Sequence, residues 1–311
     1  MGFSDVLNIV QSVLELGLIS SLTVLALYLS YTMLNVCDLS TDGCFTLGAA
    51  VGAVVAISGH PYLAIPAAMA AGVLSGFVTA FLQTRMGINS LLSGIIVNTG
   101  LYSVNIAVMG GASLLNMNKT RTVFTDMKNL LDGSFMTGWH RVVTALVAVV
   151  AVVIFITVFM KTRLGLSIRA TGDNTEMVRY SSINPVFTTT VGLCVANAFT
   201  ALSGCLLAQS QKLVDINMGQ GIVTVALASL LIGRTLFQRG SVAVKAVGAV
   251  VGAVIFRLVY ALALRLSMPA HMLKLVSSVI VIFAIFIPYL KQQYPAFMKR
   301  FEVKKRRGEN A

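Results

Sequence analysis

Long apolar runs broken by short polar stretches fill the chain from about residue 14 to residue 290. A helix needs about 20 apolar residues to cross a bilayer. On that ruler the runs predict segments at 14–35, 44–58, 62–84, 88–110, 141–160, 186–208, 219–233, 242–264 and 272–290. These make about nine transmembrane or re-entrant helices, with 44–58 and 219–233 the short ones. Lipid offers the backbone no hydrogen-bond partner, so each segment is expected to be helical. Small residues crowd "AAMAAGVLSGFVTA" and "VGAVVGAVIF", which lets helices pack closely inside a membrane. No hydrophilic stretch is long enough for a soluble domain. The expectation is an all-α membrane protein with one transmembrane domain over 1–311.

One interruption stands out. "LGLSIRATGDNTEMVRYSSINP", Leu164 to Pro185, is polar and carries both signs of charge between two apolar runs. "TGDNTEMVRYSSINP" suits a short amphipathic helix, with Asp173 as its cap and Glu176 three residues on in a variant capping box. Pro185 suits the first turn of the next membrane helix. Glu176, Arg179 and Tyr180 share a face at helical spacing. Such a segment either docks in a groove of a soluble partner or is a solvated loop.

Composition agrees with the pattern. The chain is 57% hydrophobic and 11% charged, and its mean hydropathy is +0.86. A soluble domain carries roughly a quarter charged residues. The first residues lack the basic stretch and small-residue cleavage site of a signal peptide, so none is expected. Charge then sets orientation. The tail "KQQYPAFMKRFEVKKRRGENA" (291–311) is strongly basic, which predicts a cytoplasmic C-terminus. Four segments separate it from the loop 161–185, which carries Lys161, Arg163, Arg169 and Arg179 and falls on the same side. The basic "GRTLFQRGSVAVK" is two segments from the end and agrees. An odd segment count places the N-terminus outside, where Asp5 and Glu15 stand without Lys or Arg. The loop 111–140 runs against this trend. It is expected outside, yet holds Lys119, Arg121 and Lys128 beside Asp126 and Asp132.

"VCDLSTDGCFTLGAAVGAV" (36–54) aligns with "LVDINMGQGIVTVALASLL" (213–231), pairing Asp38 with Asp215. Gly43 and Gly221 lie in the two stretches. Each stretch follows a long apolar helix, opens a short one and precedes two more spans. Five segments separate equivalent positions, so the halves have opposite orientation. Inverted repeats of this kind mark transporters. The domain divides accordingly into repeat 1 at about 14–110, a linking helix and polar segment at 141–185, repeat 2 at about 186–290, and the basic tail.

Chemistry narrows the function. Cys37, Cys44, Cys194 and Cys205 lie in or beside apolar runs with no C-x-x-C spacing, and read as small buried residues rather than metal or redox groups. His60, His140 and His271 are scattered in or next to loops. Neither G-x-S-x-G nor H-E-x-x-H occurs, so no catalytic or metal residue is assigned. Of the 11 acidic residues, Glu15, Asp38, Asp42 and Asp215 fall at segment ends and none at mid-span. Ion-coupled carriers place such groups inside the membrane, which weighs against an ion-coupled secondary transporter. The chain has no G-x-x-x-x-G-K-[ST] loop for ATP. Energy from a separate ATPase subunit is the natural inference.

Asn98, Tyr102 and Asn105 fall on one helical face of 88–110, and Asn197 and Thr200 are similarly placed on 186–208. They read either as a pathway for a polar solute or as hydrogen-bonding glue between helices. Arg257, inside 242–264, either snorkels or pairs with a backbone carbonyl.

"GLSIRATGDNTEMVRYSSIN" resembles the cytoplasmic coupling segment of ABC importer permeases of the branched-chain amino acid and ribose class. Gly165, Arg169, Ala170, Gly172, Asn174, Ile183 and Asn184 match its pattern, and Ser182 replaces the usual Gly. "DLSTDGCFTLGAAV" is similar to the family's D-L-(S/T)-V-x-G-x-x-x-L-G-A, with Thr41 for Val. "LSGCLLAQSQKLVDINMGQGIVTVALASLLIG" resembles the TrpX-linked permeases of tryptophan or other aromatic amino acid uptake. The resemblance runs from about Leu14 to about Leu290; larger members carry one more N-terminal helix. It implies a type II-like permease in the bacterial inner membrane, paired with a second permease subunit, most simply a copy of itself. A cytoplasmic ABC ATPase dimer supplies ATP and Mg chemistry, and an extracytoplasmic binding protein delivers a small polar solute. That solute is an amino acid, aromatic by the nearest resemblance, with a sugar, nucleoside or vitamin precursor as the alternative. No cofactor in this chain and no nucleic acid are implied. Coupling would fall to Arg169, Gly172, Asp173, Asn174, Glu176 and Arg179.

Overall fold

The structure is a computed structural model that describes residues 3–131, 137–237, 240–265, 275, 277–283 and 286. The expected segment 272–290 lies largely outside these residues, and the tail 291–311 wholly so.

The chain is mostly helical. Its helices are α1 (Phe3–Leu27), α2 (Thr41–Ile57), α3 (Ala64–Thr84), α4 (Ser90–Val108), α5 (Val123–Leu131), α6 (His140–Phe159), α7 (Arg163–Asp173), α8 (Thr175–Tyr180), α9 (Pro185–Gln211), α10 (Ile222–Leu236) and α11 (Val242–Arg265). α1 runs on as a π-helical stretch, Tyr28–Met33. Among the described residues 6 helices are long and apolar enough to cross a membrane, and α2 and α10 are shorter apolar helices. Each of the expected segments up to residue 264 coincides with one of these. α1 starts earlier than expected, at Phe3, because Asn8, Gln11 and Ser12 sit within a helical pattern that hydropathy alone discounts. Within 111–131 the expected loop contains regular structure. It holds strand β1 (Leu114–Asn116), which pairs antiparallel with β2 (Leu213–Asp215), and the amphipathic helix α5.

α9 is the central pillar. Its membrane-length window is 83% buried, against 28% for α4 and for α6, so α9 is enclosed by the rest of the chain and they are not. α3 and α2 lie along it. Contact is close because small residues face it: a Cβ on Gly72 would stand 2.5 Å from the Asn197 carbonyl oxygen, and one on Gly76 2.6 Å from that of Leu193. Such glycine pairs at i, i+4 let backbones touch in a medium where helices gain little by hydrophobic burial. In the second half, α11 lies along α1 and α10. The third helix of each half thus packs on the first helix of the other.

The two short helices begin inside the bundle. The chain leaves the π-helical stretch, crosses 34–40 without regular structure and starts α2 at Thr41. α2 runs to the end where α9 finishes, since Gln209 Nε2 donates to the Pro61 carbonyl at 3.4 Å. α10 starts beside α2 and runs to the opposite end, where its Arg234 and Arg169 of α7 both act electrostatically on Tyr28.

Candidate functional site

The starts of α2 and α10 form a polar knot. Asp38 Oδ1 accepts from the backbone N–H of Ser40 at 2.8 Å and from its hydroxyl at 2.6 Å. Its Oδ2 accepts from Asn197 Nδ2 on α9 at 2.8 Å. Thr79 on α3 donates to the Ser40 hydroxyl at 3.1 Å. Asp38 is 1% exposed. A buried carboxylate is tolerable only when hydrogen bonds replace its water, and three donors do so here. Asp215 makes the same local turn, accepting from the Asn217 N–H at 2.7 Å. Asp42, in the first turn of α2, accepts from the N–H groups of Gly221 and Val223, both at 2.9 Å. Those are free donors at the start of α10, where a negative charge is favoured.

The pathway candidates divide. Asn105 is buried and donates to the Gly43 carbonyl at 3.1 Å. Asn98, half-buried, lies against the same Gly43, where a Cβ would come within 2.7 Å of its Oδ1. Tyr102 points away, 48% exposed. Asn197 is committed to Asp38, and Thr200 donates back to the Ala196 carbonyl of its own helix at 3.3 Å. The helical spacing that put Asn98, Tyr102 and Asn105 on one face therefore spans two environments, because a face wide enough for all three turns from α2 to the outer surface. Among the described residues, the Oδ1 atoms of Asn105 and Asn197 have no hydrogen-bond partner.

At the α7 end the polar segment is two helices, not one. Thr162 caps α7 by accepting from the Gly165 N–H at 3.2 Å. Asn174 caps α8 by accepting from the Met177 N–H at 3.0 Å. This corrects the expectation that Asp173 is the cap: Asp173 is the last residue of α7. Glu176 does not fold back to the cap but pairs with Arg179 at 3.2 Å. Gly172 makes a close approach. It lies in α7, where a Cβ would collide with the Met33 carbonyl oxygen. Pro185 occupies the first turn of α9 as expected, with Asn184 accepting from Val186 N–H at 3.0 Å. α8 buries Val178 and presents Met177 and Tyr180, the latter 89% exposed. Arg169 lies on α7, one helix before the Glu176–Arg179 pair.

Residues 9–285 match the family described as branched-chain amino acid transport system / permease component. The chain belongs to this family. It is therefore a multi-pass permease component of a transport system. It is 34% identical over 272 residues to the tyrosine transport system permease protein of Clostridioides difficile (strain R20291), covering 87% of this chain and 88% of that protein. It is 24% identical over 258 residues to the ribose import permease protein RbsC of Escherichia coli (strain K12), covering 82% and 78%. It is 24% identical over 260 residues to the nucleoside ABC transporter permease protein NupB of Lactococcus lactis subsp. cremoris (strain MG1363), covering 78% and 68%. No solved structure matches the chain.

Within this permease, Asp42, Ser40 and Thr79 are structural partners that residue spacing did not reveal. Asp42 stands one turn after a repeat-motif aspartate, but its partner lies on a distant segment. In the stretch 111–140, Arg121 pairs with Asp126 at 3.0 Å, and Arg141 meets Glu15 at 3.9 Å. Part of the charge that ran against the expected orientation is thus neutralised locally. Among the described residues no group of three His, Cys, Asp or Glu side chains could hold a metal.

Proposed function

We propose that the chain is the membrane subunit of an ATP-driven importer that takes up an amino acid, most specifically an aromatic one. The observation that carries this is the 34% identity, over nearly the whole chain, to a permease of a tyrosine transport system. The ribose and nucleoside permeases are less similar at 24%, which ranks a sugar or nucleoside second. The sequence holds no ATP-binding loop, so hydrolysis belongs to a cytoplasmic ATPase dimer carrying ATP and Mg. A binding protein outside the membrane delivers the solute.

In this reading α2–α4 and α9–α11 are parts of two inverted repeats, completed by the expected segment 272–290 as the ninth. Support comes from the opposite courses of α2 and α10, from the matching Asp38 and Asp215 turns, and from the exchange of third and first helices between halves. The α7–α8 end is cytoplasmic and the Phe3 end of α1 outside, in line with the positive-inside rule. α8 is the coupling helix: Met177 and Tyr180, a large exposed surface on a short helix, enter a groove of the ATPase. Arg169, Asp173, Arg179 and Glu176 supply polar contacts around it. The solute pathway runs along the exposed face of α4, past Asn98 and Tyr102, against a second copy of the permease. Asn105, Asn197 and Thr200 hold the wall behind it.

Purification of the tagged chain from native membranes should recover an ABC ATPase with it. Recovery of an active chain with no ATPase, still transporting, contradicts the reading.

A further inference from the structure

α11 carries a cation inside the bundle. Arg257 lies within the span Val242–Ala263, and its Nε donates to the Ser20 hydroxyl of α1 at 3.4 Å. It lines a cavity of about 480 Å3 between α1, α10 and α11, together with Gln220, Thr224, Tyr260, Ser277 and Ser278. A second cavity, of about 320 Å3, runs from Ile9, Ser12 and Leu16 on α1 and shares Arg257 and Tyr260 with the first. Arg257 therefore stands where the two spaces meet.

A guanidinium within a membrane span is costly unless its charge is balanced. The ion pairs among the described residues are Arg121–Asp126, Arg141–Glu15 and Arg179–Glu176; none includes Arg257. The carboxylates that face this bundle are committed elsewhere. Asp42 holds the start of α10, Glu15 takes the Ser210 hydroxyl, Asp38 takes Ser40 and Asn197, and Asp215 takes its own turn. Hydroxyls can solvate the guanidinium but cannot neutralise it. The other half of the molecule sharpens the contrast. There Asp38, Ser40, Thr79 and Asn197 are hydrogen-bonded to one another between α2, α3 and α9. Here an open cavity, apolar over much of its wall, holds the charge of Arg257 and a few hydroxyls.

We propose that this cavity binds a small organic carboxylate through Arg257. A guanidinium presents a planar fork of donors that matches a carboxylate's two oxygens. Ser20, Thr224, Tyr260 and Gln220 complete the polar lining. The volume of about 480 Å3 falls within the roughly 300–1,000 Å3 of small-molecule sites. That the ligand is the α-carboxylate of the imported amino acid rests on the transport reading above; that it is a carboxylate does not.

The full-length permease in lipid nanodiscs provides the test, with thermal unfolding as the readout. L-tyrosine, L-tryptophan and benzoate should each raise the melting temperature, whereas tyramine and tryptamine, which lack the carboxylate, should not. Arg257→Lys should weaken the effect and Arg257→Gln should reduce affinity roughly ten- to hundredfold, as loss of a charge-assisted hydrogen bond implies. Thr224→Leu, which fills the cavity without touching the charge, should abolish it independently if Arg257→Gln fails to fold. Protection by benzoate but not by the amino acids, lost in Arg257→Gln, would support the carboxylate site and overturn its assignment to the transported solute. Equal protection by tyrosine and tyramine, or no protection by any carboxylate, would overturn the site itself.

Discussion

Asp42 accepts a hydrogen bond from the backbone N–H of Gly221 at 2.9 Å across 179 residues of sequence. The two short helices of the bundle are thereby joined at their starts. Gly221, at the N-cap of α10, has no side chain with which to cap that helix itself. Asp42 does it from α2, and its charge also meets the positive end of the α10 dipole.

Asp42→Ala should remove this cap and leave the Gly221 and Val223 N–H groups without their acceptor, at a cost of about 0.5–2 kcal/mol. Asp42→Asn should cost less, since the amide oxygen can still accept. Unfolding of the purified variants in mild detergent measures both, and equal stability of Asp42→Ala and the parent would mean that the two helices are held by packing alone.

The two environments on α4 predict separable phenotypes. Asn105→Leu should lower thermal stability, because it removes the buried side-chain hydrogen bond from α4 to the Gly43 carbonyl. Tyr102→Ala, at an exposed position, should leave stability within about 0.5 kcal/mol but slow uptake. A normal uptake rate in Tyr102→Ala would move the pathway off this face.

At the proposed coupling end, Gly172→Val should displace α7 from Met33, because the added carbons have no space there. Transport should fall while membrane insertion stays intact. Removal of the exposed Glu176–Arg179 pair by double alanine substitution should cost less than about 1 kcal/mol of stability. It should nonetheless weaken ATPase association or uncouple hydrolysis from uptake, seen when both are measured in one preparation.

Orientation is tested by single cysteines in intact cells. A thiol placed at Thr175, in the exposed first turn of α8, should resist membrane-impermeant reagents from outside, and one at Asn118 should react. The reverse pattern would invert the topology.

Much of the fold was legible because lipid permits so few backbone solutions. An apolar run of about 20 residues has to be a helix, so the spans up to residue 264 could be read from hydropathy. Caps were less legible. Asp173 and Asn174 are adjacent and both suit an N-cap, and only the break in backbone direction selects Asn174. The helical faces on α4 and α9 were also readable, but periodicity says which residues share a side, not what that side meets. Asn197 was picked out for its polarity, yet its partner Asp38 lies 159 residues away. The contact of Asp42 with α10 was invisible for the same reason. Arg257 was noticed as an oddity in an apolar segment; the cavity around it is made by α1 and α10, which no local pattern could supply.

The central claim is that transport through this chain is driven by ATP hydrolysed on a partner subunit. The most direct measurement is uptake of labelled tyrosine into proteoliposomes holding the permease, its ATPase and its binding protein. The account predicts uptake that requires ATP inside the reach of the ATPase, stops when the ATPase is omitted, and is unchanged when the proton gradient is collapsed. Gradient-driven uptake in vesicles that contain the permease and no ATPase would contradict it.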